Sequence, residues 1–201
     1  MRIKRDIRRW YWHTKVMIES APELYIADMT RRSQNVRGIE MTPCQQQSPD
    51  GNGMMDSLKF ENPNILSVDF AIFDDHDFKN PMTGLDDEHC EGCLYPTFED
   101  PASWVAFIEI KDCKPCNITD YKKKTKRQIF NVVKAFHKKN ILQGEKIYGI
   151  ISFPRKHVAF NDTLFGDMFV VRRYKHFTGI NFYATNQAVI IDDLRIRPVI
   201  F

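Results

Sequence analysis

Two stretches of this chain are apolar on both faces, and charge interrupts each of them. In residues 64 to 73 (NILSVDFAIF), Leu66, Val68, Phe70 and Ile72 share one face, and Ile65, Ser67, Asp69, Ala71 and Phe73 share the other. In residues 104 to 112 (WVAFIEIKD), Trp104, Ala106, Ile108 and Ile110 alternate with Val105, Phe107, Glu109 and Lys111. Strands of this kind belong inside a sheet that is covered on both sides. Residues 118 to 139 supply the other period. Ile118, Tyr121, Thr125, Ile129, Val132, Val133 and Phe136 form a helical stripe, with Asn117 placed to cap its start and Gly144 beyond its end. Residues 146 to 153 (KIYGIISF) read as a further strand closed by Pro154, and 188 to 192 and 194 to 201 as two more. The order predicts an α/β fold with a mixed central β-sheet flanked by helices.

The remaining segments are weaker. Residues 3 to 19 predict a helix, because Ile3, Ile7, Trp10, Thr14 and Met17 recur at three- and four-residue steps. Residues 38 to 57 are rich in Gly, Pro, Gln and Ser and read as a loop. Residues 74 to 103 read as a long, acidic insertion, and 161 to 185 carry no firm pattern. At 201 residues and 43% apolar, 15 of them Phe, the chain suits one domain over 1–201 with a sizeable core. No apolar run is long enough to span a bilayer and the start does not read as a secretory signal, so the expected setting is cytoplasmic, away from membranes.

Three charges break the apolar pattern: Asp69, Glu109 and Lys111. A carboxylate buried in a sheet is costly unless it is paired or holds a metal. Glu109 and Lys111 are two apart and project from one face. Small neighbours, Ser67 and Ala71, leave room beside Asp69. Were the two strands paired, Asp69 and Glu109 would meet at about 5 Å between Cβ atoms and could share a hard cation such as Mg²⁺. The bland alternative is an inert buried ion cluster.

The Asp, then Glu-x-Lys arrangement, Asp69 in SVDFAIF and Glu109-Ile110-Lys111 in FIEIKD, resembles the PD-(D/E)XK nuclease superfamily. The resemblance implies a restriction-endonuclease-like core and metal-dependent phosphodiester cleavage, with Mg²⁺ or Mn²⁺ held by Asp69 and Glu109. It implies that Lys111 orients or activates the attacking water. It also implies a Glu in the first helix, with Glu19 the best match and Glu23 the next, and an inward polar residue on the following helix, Gln128. Val68 stands where the family has Pro, and 39 residues separate Asp69 from Glu109.

Charge is uneven along the chain. Residues 69 to 100 hold ten acidic residues against Lys79 alone, and residues 111 to 139 hold ten Lys and Arg against Asp112 and Asp120. The basic helix suits a nucleic-acid backbone, with Lys122, Lys123, Lys126 and Arg127 as the expected contacts and DNA as the expected partner. The bland reading is a solvated helix face. The oligomeric state is left open, a dimer included.

Cys90-x-x-Cys93 and Cys113-x-x-Cys116 have the spacing of a four-thiolate structural Zn²⁺ site that would include the 74–103 insertion. A strand of about 30 Å separates the two pairs, and reduced, unliganded thiols are the alternative. His89 could replace one thiol. The run Asp74-Asp75-His76-Asp77 reads as a solvated loop more readily than a cation site, and Trp10, Tyr11 and Trp12 as core more readily than a base-stacking surface. The function expected is thus a metal-dependent nuclease. The alternative is a catalytically inactive, zinc-stabilised module of the same fold that binds nucleic acid or protein.

Overall fold

The computed structural model describes residues 2–29, 38–48, 53–79, 82–85, 87–98, 100–111, 118–158, 160–166 and 168–200. The fold is α/β, built on two sheets. Helix α1 (Arg2–Trp10) leads into β1 (Lys15–Glu19), β2 (Glu23–Asp28), β3 (Ile39–Thr42), β4 (Leu58–Glu61) and β5 (Val68–Ile72). There follow β6 (Gly92–Pro96), β7 (Trp104–Ile110), α2 (Ile118–Lys138) and β8 (Lys146–Ser152). Helices α3 (Asn161–Phe165) and α4 (Met168–Thr178) precede β9 (Ile180–Ala184), β10 (Gln187–Asp192) and β11 (Arg195–Pro198).

The larger sheet has the order β1-β5-β6-β7-β8-β9, and the smaller β11-β10-β4-β2-β3. In the larger sheet β5, β6 and β7 form an antiparallel meander, and α2 then carries the chain to β8, parallel to β7. β9 continues the parallel half. The sheet is therefore mixed, as expected.

Its two apolar faces are buried against different layers. On one face Phe107, Tyr95 and Ile151 pack with Ile3 and Ile7 of α1, Ile129, Val132, Val133 and Phe136 of α2, and Leu164 and Phe165 of α3. On the other face Phe70, Leu94, Trp104 and Ile108 meet Leu24, Ile26, Phe60, Ala188 and Ile190 of the smaller sheet. Helices thus cover one face only. The second cover is a sheet, a correction to the expected helical flanks, and the two-faced apolar pattern does not distinguish the two covers.

Three further expectations change. The helix predicted over 3 to 19 stops at Trp10, and its second half is strand β1, paired with β5 from Lys15↔Ile72 to Glu19↔Val68. Asp77 fixes the turn between them, accepting hydrogen bonds from Thr14 Oγ1 at 2.9 Å and His13 N at 3.2 Å. The 38 to 57 loop contains β3. Most important, the 74 to 103 insertion contains β6, all five residues of which are buried in the middle of the larger sheet.

Thr125, Ile129, Val132, Val133 and Phe136 of the α2 stripe are buried as expected and Tyr121 is half-buried, while the cap, Asn117, lies outside the described residues. The helix ends in a left-handed turn at Asn140 (φ 54°), with Ile141 N donating back to Phe136 O at 2.9 Å. Gly144 lies beyond that turn. Among the described residues no helix is long and apolar enough to cross a membrane.

Candidate active site

Asp69 and Glu109 both point to the helix-covered face, but they do not meet. β6 lies between their strands, with Asp69 level with Tyr95 and Ala71 level with Cys93, which in turn is level with Phe107. Glu109 is therefore two strands and four residues away from Asp69. That is about 10 Å across the sheet and about 13 Å along it. The expected shared cation between Asp69 and Glu109 is ruled out by this register. Asp69 is instead paired with Lys4 of α1, whose Nζ donates to Oδ1 at 2.8 Å, and both side chains are buried.

Another carboxylate stands beside Glu109. Glu91 immediately precedes β6, and its backbone continues the ladder on both sides. Its N donates to Ile108 O at 3.0 Å, and its O accepts from Phe73 N at 2.9 Å. Continuing the register from Gly92↔Ile108 sets Glu91 opposite Glu109. Side chains in such a pair stand about 5 Å apart. Lys111 closes the group. Its Nζ contacts Glu109 Oε1 directly and lies 3.7 Å from Glu91 Oε1. Glu109 is fully enclosed, whereas Glu91 and Lys111 keep 15% and 16% of their side-chain surface open, so solvent reaches the cluster from one side. Lys111 N donates to Ser152 O at 2.9 Å, which ties the residue to the end of β8.

Gln128 reaches the same end of the sheet from α2. It is buried, and its Nε2 donates to His89 O at 2.8 Å. Its Oε1 is enclosed with no hydrogen-bond partner among the described residues, an acceptor pointing into the protein close to the start of β6. His89 is held by Asp75, 2.8 Å from its Nε2, and stacks on Phe78. Next to it, Glu88 receives two hydrogen bonds from Arg127, at 2.6 and 2.8 Å. Those bonds hold the Glu88 carboxyl below the usual carboxylate range, with the charges of Lys124 and Lys111 adding to the effect. The basic stretch of α2 therefore does run beside the cluster. Arg127 and Lys123 are exposed, Lys122 is half-buried, and Lys126 is buried against aromatic rings.

Glu19 does not join the site. It lies on β1 opposite Val68, on the face turned to the smaller sheet, away from Glu109. Glu23 lies in the smaller sheet, paired with Lys59 at 2.7 Å. Of the four cysteines in the two C-x-x-C pairs, Cys113 and Cys116 lie outside the described residues. Cys90 and Cys93 are fully buried within the helix-side core. Burial pushes both thiols well above their ordinary pKa, with Glu109 adding to the effect at Cys90 and Asp69 at Cys93. Tyr11 is core, as expected, while Trp10 and Trp12 are exposed. In the Asp74–Asp77 turn, Asp74 caps the 3₁₀ segment and bonds His76, which accounts for both as local structure.

The residue that sequence reasoning missed is Glu91. One signal was available: it sits two residues before Cys93 in a short alternating run, Glu91-Gly92-Cys93-Leu94-Tyr95, within a segment otherwise read as loop. Gly92 explains why that run looked unlike a strand. A Cβ there would meet Ala71 O at 2.3 Å and the Phe70 ring at 3.0 Å, so β5 can approach only a glycine.

The donor set suits a hard cation. Two adjacent carboxylates repel, and Mg²⁺ is commonly held by one or two carboxylates with water and substrate phosphate completing six oxygen ligands. Among the described residues no three His, Cys, Asp or Glu side chains cluster in metal-holding fashion, so Glu91 and Glu109 would depend on such outside ligands. No protein-family model, curated protein or solved structure matches this chain.

Proposed function

We propose that the chain is a metal-dependent nuclease that hydrolyses phosphodiester bonds of nucleic acid, with DNA the favoured substrate, and that Glu91 replaces Asp69 in its catalytic group. The observation that carries this reading is the convergence of Glu91, Glu109 and Lys111 at one partly open end of the larger sheet, beside the basic face of α2. The β5–β6–β7 meander followed by α2 and parallel β8 supports the restriction-endonuclease-like core that the sequence resemblance implies.

Glu91 and Glu109 would hold a Mg²⁺ or Mn²⁺ ion, which would supply a water of lowered pKa and neutralise charge developing on the phosphate. The protein's own part is positional. β6 and β7 fix the two carboxylates at one ladder step, and the Ser152 contact fixes the base of Lys111. The ammonium can orient an attacking water through a hydrogen bond and stabilise negative charge on the non-bridging phosphate oxygens. Lys122, Lys123 and Arg127 would meet neighbouring phosphates.

Plasmid and single-stranded substrates incubated with Mg²⁺ or Mn²⁺ test the reading. Cleavage by the native chain, lost in Glu91→Ala, Glu109→Ala and Lys111→Ala, supports it. Cleavage that survives all three substitutions overturns it. The second reading is an inactive binding module. It is favoured by Lys111 lying in contact with Glu109 and near Glu91, as in an ion cluster that balances its own charge.

A further inference from the structure

Helices α2 and α4 enclose a groove of about 210 Å³ on the helix-covered side. Its lining combines cations and rings: Lys123, Lys126 and Arg127 with Phe130, Tyr174 and Phe182. Lys126 is its unusual member. It retains 8% of its surface, and its Nζ lies 5.0 Å from the centre of the Tyr174 ring and 5.4 Å from that of Phe165. No carboxylate among the described residues lies within ion-pair distance of it. A buried ammonium balanced only by ring faces is costly. Burial and nearby Lys122 both act to lower its pKa, a cost that an incoming anion would relieve.

The surroundings repeat the combination. α4 exposes Arg172, Arg173 and Lys175, and Phe169 and Phe177 are 73% and 72% exposed. Arg173 lies over the Phe177 ring at 5.8 Å. Arg127 lines the groove and also holds Glu88, whose carboxyl feels Lys111. Arg127 thus belongs both to the groove and to the contacts of Glu88, three residues before Glu91.

We infer that this groove holds a single-stranded segment of nucleic acid, with a backbone phosphate on Lys126 and Lys123 and an unpaired base against Tyr174. Cations alternating with aromatic faces match a polyanion whose bases are free to stack. A duplex keeps its bases stacked on one another and offers the rings nothing but its backbone. The inference rests on the nuclease reading for its substrate class and extends it to strand form.

The test is binding of fluorescent oligo-dT and oligo-U to the full-length chain in EDTA, where cleavage cannot occur, alongside a duplex of mixed sequence. The single strands are expected to bind more tightly than the duplex. Tyr174→Leu should weaken single-strand binding roughly tenfold while Tyr174→Phe retains it, because a stacking ring survives only in the second. Lys126→Met and the exposed Lys123→Gln should each lower the slope of log affinity against log salt by about one. Glu109→Gln should leave binding intact. Binding that ignores all of these groove substitutions overturns the proposal, as does an equal preference for duplex. So does sedimentation with phosphatidylserine vesicles through the same residues without oligonucleotide binding. Loss of cleavage in the Glu109 variant with groove binding retained separates the two readings. If the native chain cleaves nothing yet binds single strands through the groove, the nuclease reading fails and this one stands.

Discussion

The Lys111 ammonium lies 3.7 Å from the Glu91 carboxylate, although the two residues are twenty positions apart and flank different strands. Through this relationship Glu91 enters the site, because Lys111 also touches Glu109. It leads to a contrast between two buried acids. Glu91→Gln and Glu109→Gln should each lower metal-dependent cleavage on the order of 10²–10³-fold, and Lys111→Ala by about 10²–10⁴-fold. Asp69→Asn should retain cleavage by whatever fraction remains folded. Initial rates normalised to folded protein would check this. Loss of turnover in a well-folded Asp69→Asn protein would return Asp69 to the site.

Asp69 has a different task. Its carboxylate is enclosed, and Lys4 is its ion-pair partner. Lys4→Met removes the cation and leaves the carboxylate in the core, which should cost about 3–5 kcal/mol of unfolding free energy. Replacing both, Lys4→Met with Asp69→Leu, should recover most of that loss, because no charge is then left buried. Urea unfolding of the three variants measures the coupling. A double variant destabilised by the sum of the two single substitutions would show that the pair contributes nothing.

Gly92 couples packing to the site. With Ala71 O only 2.3 Å from a would-be Cβ, Gly92→Ala must push β6 away from β5. A destabilisation of about 1–3 kcal/mol is expected from such overpacking. Because Glu91 is the adjacent residue, cleavage should fall further than the folded fraction does. Urea unfolding and initial cleavage rates normalised to folded protein measure the two effects.

The buried thiols give a pH dependence. Cys90 and Cys93 have raised pKa values because burial disfavours the thiolate. A raised folded-state pKa contributes stability that is fully present below the ordinary thiol value of 9.0 and declines as pH climbs past it. Thermal midpoints should therefore fall above about pH 9, and Cys90→Ser with Cys93→Ala should flatten that limb. Alkylation at pH 8 followed by peptide mapping should mark exposed Cys44 and spare Cys90 and Cys93 until the chain unfolds.

Much of this molecule was legible without coordinates, where the determinants are local. The stripe on α2, the apolar alternation of β5, β7 and β8, and the shared face of Glu109 and Lys111 follow from helical and strand periods acting within a few residues. The α/β class followed from the same patterns. Asp69 was correctly read as a buried charge that needed a partner, but the partner was misidentified. Tertiary structure alone decided that β6 enters between β5 and β7, that a second sheet takes the place of helices on one face, and that Lys4 neutralises Asp69. The physical reason is that strand pairing joins segments far apart in the chain, and its outcome depends on which surfaces can be buried together. A five-residue strand opened by Gly and closed by Pro carries little propensity of its own. It is a strand because its neighbours leave a gap of one strand's width, and filling that gap sets Glu91 opposite Glu109.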